Sequence, residues 1–252
     1  MRTDSGRVVV VTGANGGIGY HLLRALRDDG YRVAGFDTDT SNLAPLAAGD
    51  DGVRAYDCDV TVDAEVRAAV DDVVDAWGGV DILVNNAAVL TLAPFEERTL
   101  ADIREELDVN YLGYVRTIRA VLPHMRERGS GIVHNMCSGV AAVGHPGLSG
   151  YAASKGAIAA LARSLRSELR HSGVAFTLMY PPATATPGAA VLDYPAAAVQ
   201  EPEAVGRKLA AKVESTDARV YADLSTRLGM ALVSRVPALA AWGTRKYVAD
   251  PA

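Results

Sequence analysis

The stretch VVVVTGANGGIGYHLLRAL, residues 8–26, places four valines directly before a turn that is rich in glycine. A short β-branched run is typical of a buried strand, and the segment beyond the turn, ending in RALRDDG, has the pattern of a helix. Strand, glycine turn and helix in this order begin a βαβ unit. The stretch therefore predicts an α/β fold.

The same alternation continues along the chain. Further apolar runs predict strands at residues 31–36, 53–60, 80–86, 131–136 and 174–180, with a weak seventh at 219–222, and helical patterns occur at 64–77, 103–128 and 151–171. Strands of nearly continuous apolar character are buried on both faces, which indicates a parallel sheet between helix layers. Because no linker or repeat divides residues 1–252, we predict a single doubly wound domain.

Composition excludes several classes of protein. Hydrophobic residues make up 49% and charged residues 22%, which suits a globular core rather than disorder. The net charge of −5 gives no basic field for nucleic acid. The two cysteines, Cys58 and Cys137, predict neither a disulfide framework nor a metal site. No signal-peptide pattern and no run of about 20 apolar residues is found, so we expect a cytoplasmic protein without a transmembrane segment.

The glycine turn indicates a dinucleotide site. Gly13 allows a sharp turn, Gly17 allows the backbone to approach a pyrophosphate, and Gly19 allows the helix to pack on the strand. Amides at the helix N-terminus, with its partial positive charge, then face the phosphates. The alternative for such a turn is a tight loop that binds nothing.

Asp37 ends the second predicted strand, about twenty residues beyond the turn. A carboxylate there accepts hydrogen bonds from the adenosine ribose hydroxyls and repels a 2′-phosphate. No Arg or Lys lies within the turn or directly after Asp37. The sequence therefore predicts NAD rather than NADP, and the alternative is a solvated aspartate in a loop.

Tyr151 and Lys155 lie four residues apart, so they share one face of a helix. A free tyrosine has a pKa of about 10, and a nearby ammonium stabilises its phenolate. The pair thus suits proton exchange with a substrate oxygen, which the Ser138 hydroxyl at the end of the fifth strand could also hold. By chance alone, such a pair is also common on solvated helices.

Several motifs occur along the chain in a consistent order and spacing. They are TGANGGIG at residues 12–19, Asp59 in CDV, NNAA at 85–88, Asn110 in DVNYLG, Ser138, and YAASK at 151–155. From about residue 7 to 186 the chain resembles the short-chain dehydrogenase/reductase family in its compact form. The resemblance implies a Rossmann domain whose mostly parallel, seven-stranded sheet has the order 3-2-1-4-5-6-7, with helices on both faces.

The resemblance also implies roles for individual residues. Tyr151 is expected to be the general acid or base, and Lys155 to lower its pKa and bind the nicotinamide ribose. Ser138 is expected to orient the substrate oxygen, and Asn110 to hold a water in a proton relay, although Asn110 could instead hold a kink in its helix. The implied cofactor-binding residues are Gly13, Asn15, Gly16, Gly17, Ile18, Gly19, Asp37, Asp59, Val60, Asn86, Ala87, Ala88, Tyr151, Lys155, Pro181, Thr184 and Thr186.

Three positions depart from the family pattern. Ala88 stands where the family usually has glycine, and in YPPATATP, residues 180–187, Pro182 and Thr184 replace a glycine and an aliphatic residue. Thr186 is expected to hold the nicotinamide carboxamide, or else to cap a helix before Pro187.

Two segments bear on substrate and partners. Residues 181–202 form an irregular loop placed to cover a site at the carboxyl ends of the strands. The segments expected to line the pocket are mostly small or apolar, apart from His145, Asp193 and Tyr194, which predicts a neutral, fairly apolar alcohol or ketone as substrate. Residues 224–248 are amphipathic and either pack on a partner subunit or touch lipid. We favour packing, in a homodimer or homotetramer.

Two other functions compete with an NAD-dependent oxidoreductase. Gly13, Gly16 and Gly19 also fit the glycine spacing of extended-branch nucleotide-sugar epimerases and dehydratases, but little chain follows residue 186 to form their substrate domain. The third hypothesis is a non-catalytic NAD-binding sensor. The presence of Ser138 together with the 151–155 motif counts against it.

Overall fold

The computed structural model describes residues 6–189, 192 and 199–235. Within them, seven strands form one parallel sheet in the order β3-β2-β1-β4-β5-β6-β7. The predicted fold class and strand order are confirmed. The strands are β1 (Val8–Thr12), β2 (Arg32–Asp37), β3 (Val53–Asp57), β4 (Ile82–Asn85), β5 (Gly131–Met136), β6 (Val174–Tyr180) and β7 (Arg219–Tyr221).

Helices connect successive strands. They are α1 (Gly17–Asp28), α2 (Ala44–Ala48), α3 (Asp63–Trp77), α4 (Leu100–Leu107), α5 (Gly113–Glu127), α6 (Val140–Val143), α7 (Ser149–Glu168), α8 (Pro202–Ala210) and α9 (Leu224–Arg235). The prediction of a long helix around residues 103–128 is confirmed, since residues 100–127 are helical throughout, with a π turn at Asp108–Leu112 between α4 and α5. Such turns insert one extra residue into a helix and often occur at functional sites.

The sheet has a separate hydrophobic core on each face, and β1 contributes to both. Val9 and Val11 pack with leucines of α1 and α8, whereas Val8 and Val10 pack with apolar residues of α3 and α5. All four valines are at most 2% exposed. Because successive side chains of a strand point to opposite faces, an unbroken valine run is what a strand between two helix layers requires.

The strand order reverses between β1 and β4. The chain first builds outward from β1 through β2 to β3, and then returns to place β4 on the other side of β1. Loops leaving the carboxyl ends of these two strands turn in opposite directions, which leaves a crevice between them. The glycine turn after β1 and the polar segment after β4 both open into this crevice.

Candidate active site

A cleft of about 1630 Å³ lies at the carboxyl ends of the strands. This volume exceeds the roughly 300–1,000 Å³ of a typical small-molecule pocket. The predicted site residues that line it are Gly13, Asn15, Gly16, Gly17, Ile18, Asp37, Asp59, Val60, Asn86, Ala87, Ala88, Ser138, Tyr151, Lys155, Pro181, Thr184 and Thr186. Gly19 and Asn110 do not line it and lie behind its wall.

The glycine turn depends on the absence of side chains. Gly13 has a φ of +63°, and a Cβ there would lie 2.7 Å from the Cα of Ala87. Gly17, with a φ of +51°, begins α1 at the cleft, where the first amides have no partner within the helix. A Cβ on Gly19 would overlap the carbonyl oxygen of Gly13. The turn is therefore packed from behind and open toward the cleft.

Thr12, which the sequence did not single out, joins the turn to the segment after β4. Its hydroxyl oxygen accepts hydrogen bonds from the amides of Asn86 and Ala87, at 3.0 and 3.1 Å. The Asn86 side chain donates to the carbonyl oxygens of Thr12 and Gly13, both at 3.0 Å. A threonine at the end of a valine run carries no sequence signal for such bonds, because its partners lie more than seventy residues away.

Asp37 faces the cleft at the end of β2. One oxygen of its carboxylate accepts a hydrogen bond from the Asn15 amide at 2.8 Å, which ties β2 to the glycine turn. The Asn15 side chain in turn accepts from the Asn42 amide at 2.8 Å. Asp37 is only partly buried, so its carboxylate keeps acceptor sites that face the cleft.

Asp59 and Val60 border the same part of the cleft after β3. The Asp59 carboxylate accepts hydrogen bonds from both the amide and the hydroxyl of Thr61, each at 2.8 Å, and so orders the loop. Val60 is 7% exposed and packs closely on Gly113. A Cβ added to Gly113 would lie 2.8 Å from the Cγ2 of Val60. The loop thus presents a fixed apolar surface beside a carboxylate.

The Lys155 side chain is 1% exposed and reaches the cleft from α7. Its ammonium lies 5.5 Å from the centre of the Tyr151 ring and donates hydrogen bonds to the Tyr114 hydroxyl at 3.2 Å and the Met136 carbonyl at 3.1 Å. Burial lowers the pKa of Lys155 from 10.5 to about 8. The side chain therefore still carries a proton at neutral pH.

Ser138 follows β5 and lines the cleft with Tyr151. Its hydroxyl oxygen accepts a weak hydrogen bond from the Val140 amide at 3.4 Å, which leaves its proton for another acceptor. The neighbouring Cys137 is buried, with its Sγ 3.7 Å from the Lys155 carbonyl oxygen. Cys137 is therefore a thiol packed in the hydrophobic core.

Asn110 is fully buried in the π turn between α4 and α5. Its side chain accepts from the Val89 amide at 2.8 Å and donates to the Val89 carbonyl at 2.8 Å and the Ser154 hydroxyl at 3.1 Å. Both N–H bonds of the amide are thus engaged. The side chain joins the irregular helix to the loop after β4 and to α7.

The segment after β6 is held by a short parallel bridge between Thr184 and Gln200. Thr186 accepts a hydrogen bond at its hydroxyl from the Ala189 amide, at 3.2 Å, at the start of the short 3₁₀ turn Pro187–Ala189. The Thr186 hydroxyl thus caps this turn, and because Thr186 also lines the cleft, its role toward the nicotinamide carboxamide stays a prediction. Asp193, Tyr194 and the part of the amphipathic segment beyond residue 235 lie outside the described residues.

A buried ion pair lies directly behind the first turn of α7. Arg98 and Glu106 have 0% and 1% exposed side chains, and their closest nitrogen and oxygen atoms are 2.6 Å apart. The other Glu106 oxygen accepts from the Thr91 amide at 2.8 Å. Gly150, next to Tyr151, packs against the pair so closely that a Cβ would overlap the Glu106 carboxylate. Sequence reasoning missed this pair.

Part of the cleft wall comes from α9. Ser225, Thr226, Gly229 and Met230 line it, and the Met230 sulfur would lie 3.3 Å from a Cβ on Gly139. Within residues 6–189, 192 and 199–235, no His, Cys, Asp or Glu cluster suits a metal ion. None of the helices described is both long and apolar enough to cross a membrane.

Comparison with known proteins assigns this arrangement to a family. Residues 7–194 match the short chain dehydrogenase family. The chain belongs to that family. A 3-alpha-(or 20-beta)-hydroxysteroid dehydrogenase of Mycobacterium bovis is 36% identical over 183 residues, which are 72% of this chain and 70% of the relative. An L-fucose dehydrogenase of Oryctolagus cuniculus is 38% identical over 202 residues, 78% of this chain and 71% of the relative.

Solved structures agree with the assignment. A short-chain dehydrogenase from Streptomyces avermitilis is 29% identical with a TM-score of 0.79, covering 99% of this chain and 100% of that one. A gluconate 5-dehydrogenase from Burkholderia cenocepacia, in complex with NADP and tartrate, is 27% identical with a TM-score of 0.79, covering 88% and 96%. As a short-chain dehydrogenase, the protein is an oxidoreductase.

Proposed function

We propose that this short-chain dehydrogenase transfers a hydride between NAD and a secondary alcohol or ketone, with Tyr151 as the general acid or base. One observation carries the proposal: Ser138, Tyr151 and Lys155 all border one cleft, and the buried Lys155 ammonium lies against the Tyr151 ring. A cation held this close favours the phenolate form of the tyrosine.

The residues present fit a dinucleotide. At the turn, a Cβ on Gly13 would lie 2.7 Å from the Ala87 Cα and one on Gly17 would lie 3.1 Å from the Thr186 Cγ2. The amides at the start of α1, which have no partner within the helix, would hold the pyrophosphate. Asp37 would hold the adenosine ribose, and Asp59 with Val60 would border the adenine. When bound, the nicotinamide ring would supply the hydride acceptor or donor.

The side chains of the cleft would handle the proton. In the oxidation direction the Tyr151 oxygen takes the proton of the substrate hydroxyl, and in reduction it returns one to the carbonyl oxygen. Ser138 would donate a hydrogen bond to the same oxygen and hold it in place. Both N–H bonds of the Asn110 side chain are already engaged, so Asn110 would hold a water of the relay as a hydrogen-bond acceptor.

The choice of NAD follows from charge. Among the described residues that line the cleft, Lys155 is the only Lys or Arg, and it lies near Tyr151 rather than Asp37. A 2′-phosphate would meet the Asp37 carboxylate with no cation beside it. The expected result is a higher kcat/KM with NAD than with NADP, by at least about tenfold.

The residues of the cleft wall, which include no Arg and only one Lys among those described, also favour a neutral and fairly apolar substrate. The residues that line the cleft include Val89, Leu90, Val140 and Met230. The relatives named above act on a steroid and on a sugar, by their names, so kinship alone leaves the substrate class wide. The apolar side chains of the cleft wall suit a steroid better than a sugar.

The experiment follows NADH appearance or loss with purified protein, NAD or NADP, and a panel of secondary alcohols and ketones that includes acidic and phosphorylated members. Tyr151→Phe, which keeps the ring and removes the reacting oxygen, should lower kcat by about a hundredfold or more. An unchanged rate in that variant would refute the role of Tyr151. NAD binding without turnover on any substrate would instead support the non-catalytic sensor.

A further inference from the structure

The amino group of Lys155 is held from inside the protein by two acceptors. The Tyr114 hydroxyl on α5 and the Met136 carbonyl at the end of β5 each take one of its three N–H bonds, at 3.2 and 3.1 Å. The substituents of an ammonium nitrogen are tetrahedral, so fixing two N–H bonds and the carbon chain also fixes the direction of the third.

Tyr114 is 1% exposed, and its hydroxyl has one hydrogen-bond partner among the described residues, the Lys155 ammonium. Its ring packs with Cys137, Ile158 and Leu178 in an apolar cluster. A phenylalanine would fill the same space without burying a polar oxygen, which costs free energy unless it is hydrogen-bonded. Packing therefore explains the ring but not the hydroxyl.

We propose that Tyr114 is a positioning residue that, through its hydroxyl, directs the third N–H bond of Lys155 toward the cleft. The proposal rests on the proposed function, in which Lys155 assists Tyr151. A hydrogen bond to a charged donor is about twice as strong as a neutral one, so Tyr114 also supports the charged form of Lys155 in a buried place.

In the described part of the chain, the titratable side chains around Lys155 come from three elements. Tyr151 lies on the same helix, Tyr114 faces Lys155 from α5, and Cys137 lies after β5. Tyr180 on β6 neighbours Cys137. Burial raises the pKa of both Tyr114 and Tyr180, so these phenols stay neutral at the pH of an assay. A neutral Tyr114 acts on Lys155 by accepting a hydrogen bond.

The first test is Tyr114→Phe and needs neither cofactor nor substrate. The chain has four lysines, Lys155, Lys208, Lys212 and Lys246, so a protein labelled with ¹³C at the lysine Cε gives four resolvable titrations by NMR. Lys155 should titrate near pH 8 in the unchanged protein and about one unit lower in Tyr114→Phe. Tyr111→Phe, on the adjoining π turn, is the matched control and should leave the titration in place.

The second test measures kcat and KM against pH for alcohol oxidation with NAD. Tyr114→Phe should lower kcat about tenfold at pH 7, leave KM within about twofold, and move the acidic limb of the profile to higher pH by about one unit. Tyr111→Phe should keep the profile of the unchanged protein. A merely structural tyrosine would change stability without moving that limb.

Several outcomes would overturn the proposal. An unchanged Lys155 titration in Tyr114→Phe would do so, and so would an unchanged pH profile in an enzyme that Tyr151→Phe inactivates. If Tyr114→Phe does not fold, Tyr114→Met fills the site, and failure of both to fold assigns Tyr114 to the core alone. If the unchanged protein shows no turnover, the proposed function fails. The NMR titration still tests whether the Tyr114 hydroxyl supports the charged form of Lys155.

Discussion

The glycine turn, residues 13–19, and the pocket around Lys155 border the same cleft but are built in different ways. The turn works through its backbone, because glycine at Gly13 and Gly19 lets three segments approach closely. The pocket works through buried polar side chains whose partners are distant in the sequence: Lys155 meets Tyr114, 41 residues away. A short stretch of sequence determines the backbone shape of the turn. The partners of a buried polar side chain depend instead on how whole helices and strands pack together.

The largest loss of stability is expected at the buried Arg98–Glu106 ion pair, which lies behind the first turn of α7. Glu106→Gln removes the negative partner of Arg98, whose Nε and Nη1 already lack hydrogen bonds among the described residues. Leaving a buried cation uncompensated should lower the free energy of unfolding by about 3–5 kcal/mol. Chemical denaturation at pH 7 measures it.

The control for that change is an exposed pair. Glu203 and Arg207 lie four residues apart on α8, and both side chains are more than half exposed. Glu203→Gln should therefore change the free energy of unfolding by less than about 0.5 kcal/mol. If Glu106→Gln lowered the free energy of unfolding as little as the control does, the buried Arg98–Glu106 pair would not be needed to stabilise the structure behind α7.

A somewhat smaller effect is expected at the turn. Gly19→Ala adds a methyl group that would overlap the Gly13 carbonyl and lie 2.6 Å from the Asn86 amide nitrogen. Overpacking against backbone should cost about 3 kcal/mol of unfolding free energy. Gly16→Ala is the matched control, since its Cβ would have no atom within 4 Å and its φ is −155°. Equal melting temperatures for the two variants would contradict the packing argument.

The smallest effect concerns pH and His134 on β5. Its ring is buried between the Thr177 hydroxyl and the Val213 carbonyl, at 2.6 and 2.7 Å, and burial lowers the pKa of His134 from 6.5 to about 4. The folded state thus holds the neutral ring, and its stability is complete above pH 6.5 and falls as the pH drops toward 4. The loss should reach about 2 kcal/mol by pH 5.

Thermal unfolding from pH 7 to pH 4 tests this dependence. His134→Gln should show a shallower decline than the unchanged protein, because the glutamine does not titrate. The exposed His171 offers the control, and His171→Gln should keep the original slope. Parallel curves for His134→Gln and the unchanged protein would show that the histidine titrates alike in the folded and unfolded states.

Much of the architecture was predictable from the sequence. The four valines of β1 and the strand-to-helix alternation predicted the parallel sheet, because continuous apolar runs suit a strand between two helix layers. The strand order was implied by the resemblance of the motifs to the family. One local feature was not predicted. The helix around 103–128 contains the π turn Asp108–Leu112, which nothing in the apolar pattern of the sequence indicated.

The sequence by itself determined the elements whose function depends on local backbone shape: the buried strands, the glycine turn, and the Tyr151 and Lys155 pair on one helix face. Only the tertiary structure decided which distant groups complete them, among them Thr12 behind the turn, Tyr114 on Lys155, and the Arg98–Glu106 pair beneath Gly150. The reason is physical. A local conformation is limited by neighbouring residues, but a buried polar atom takes its partner from whatever element packs against it.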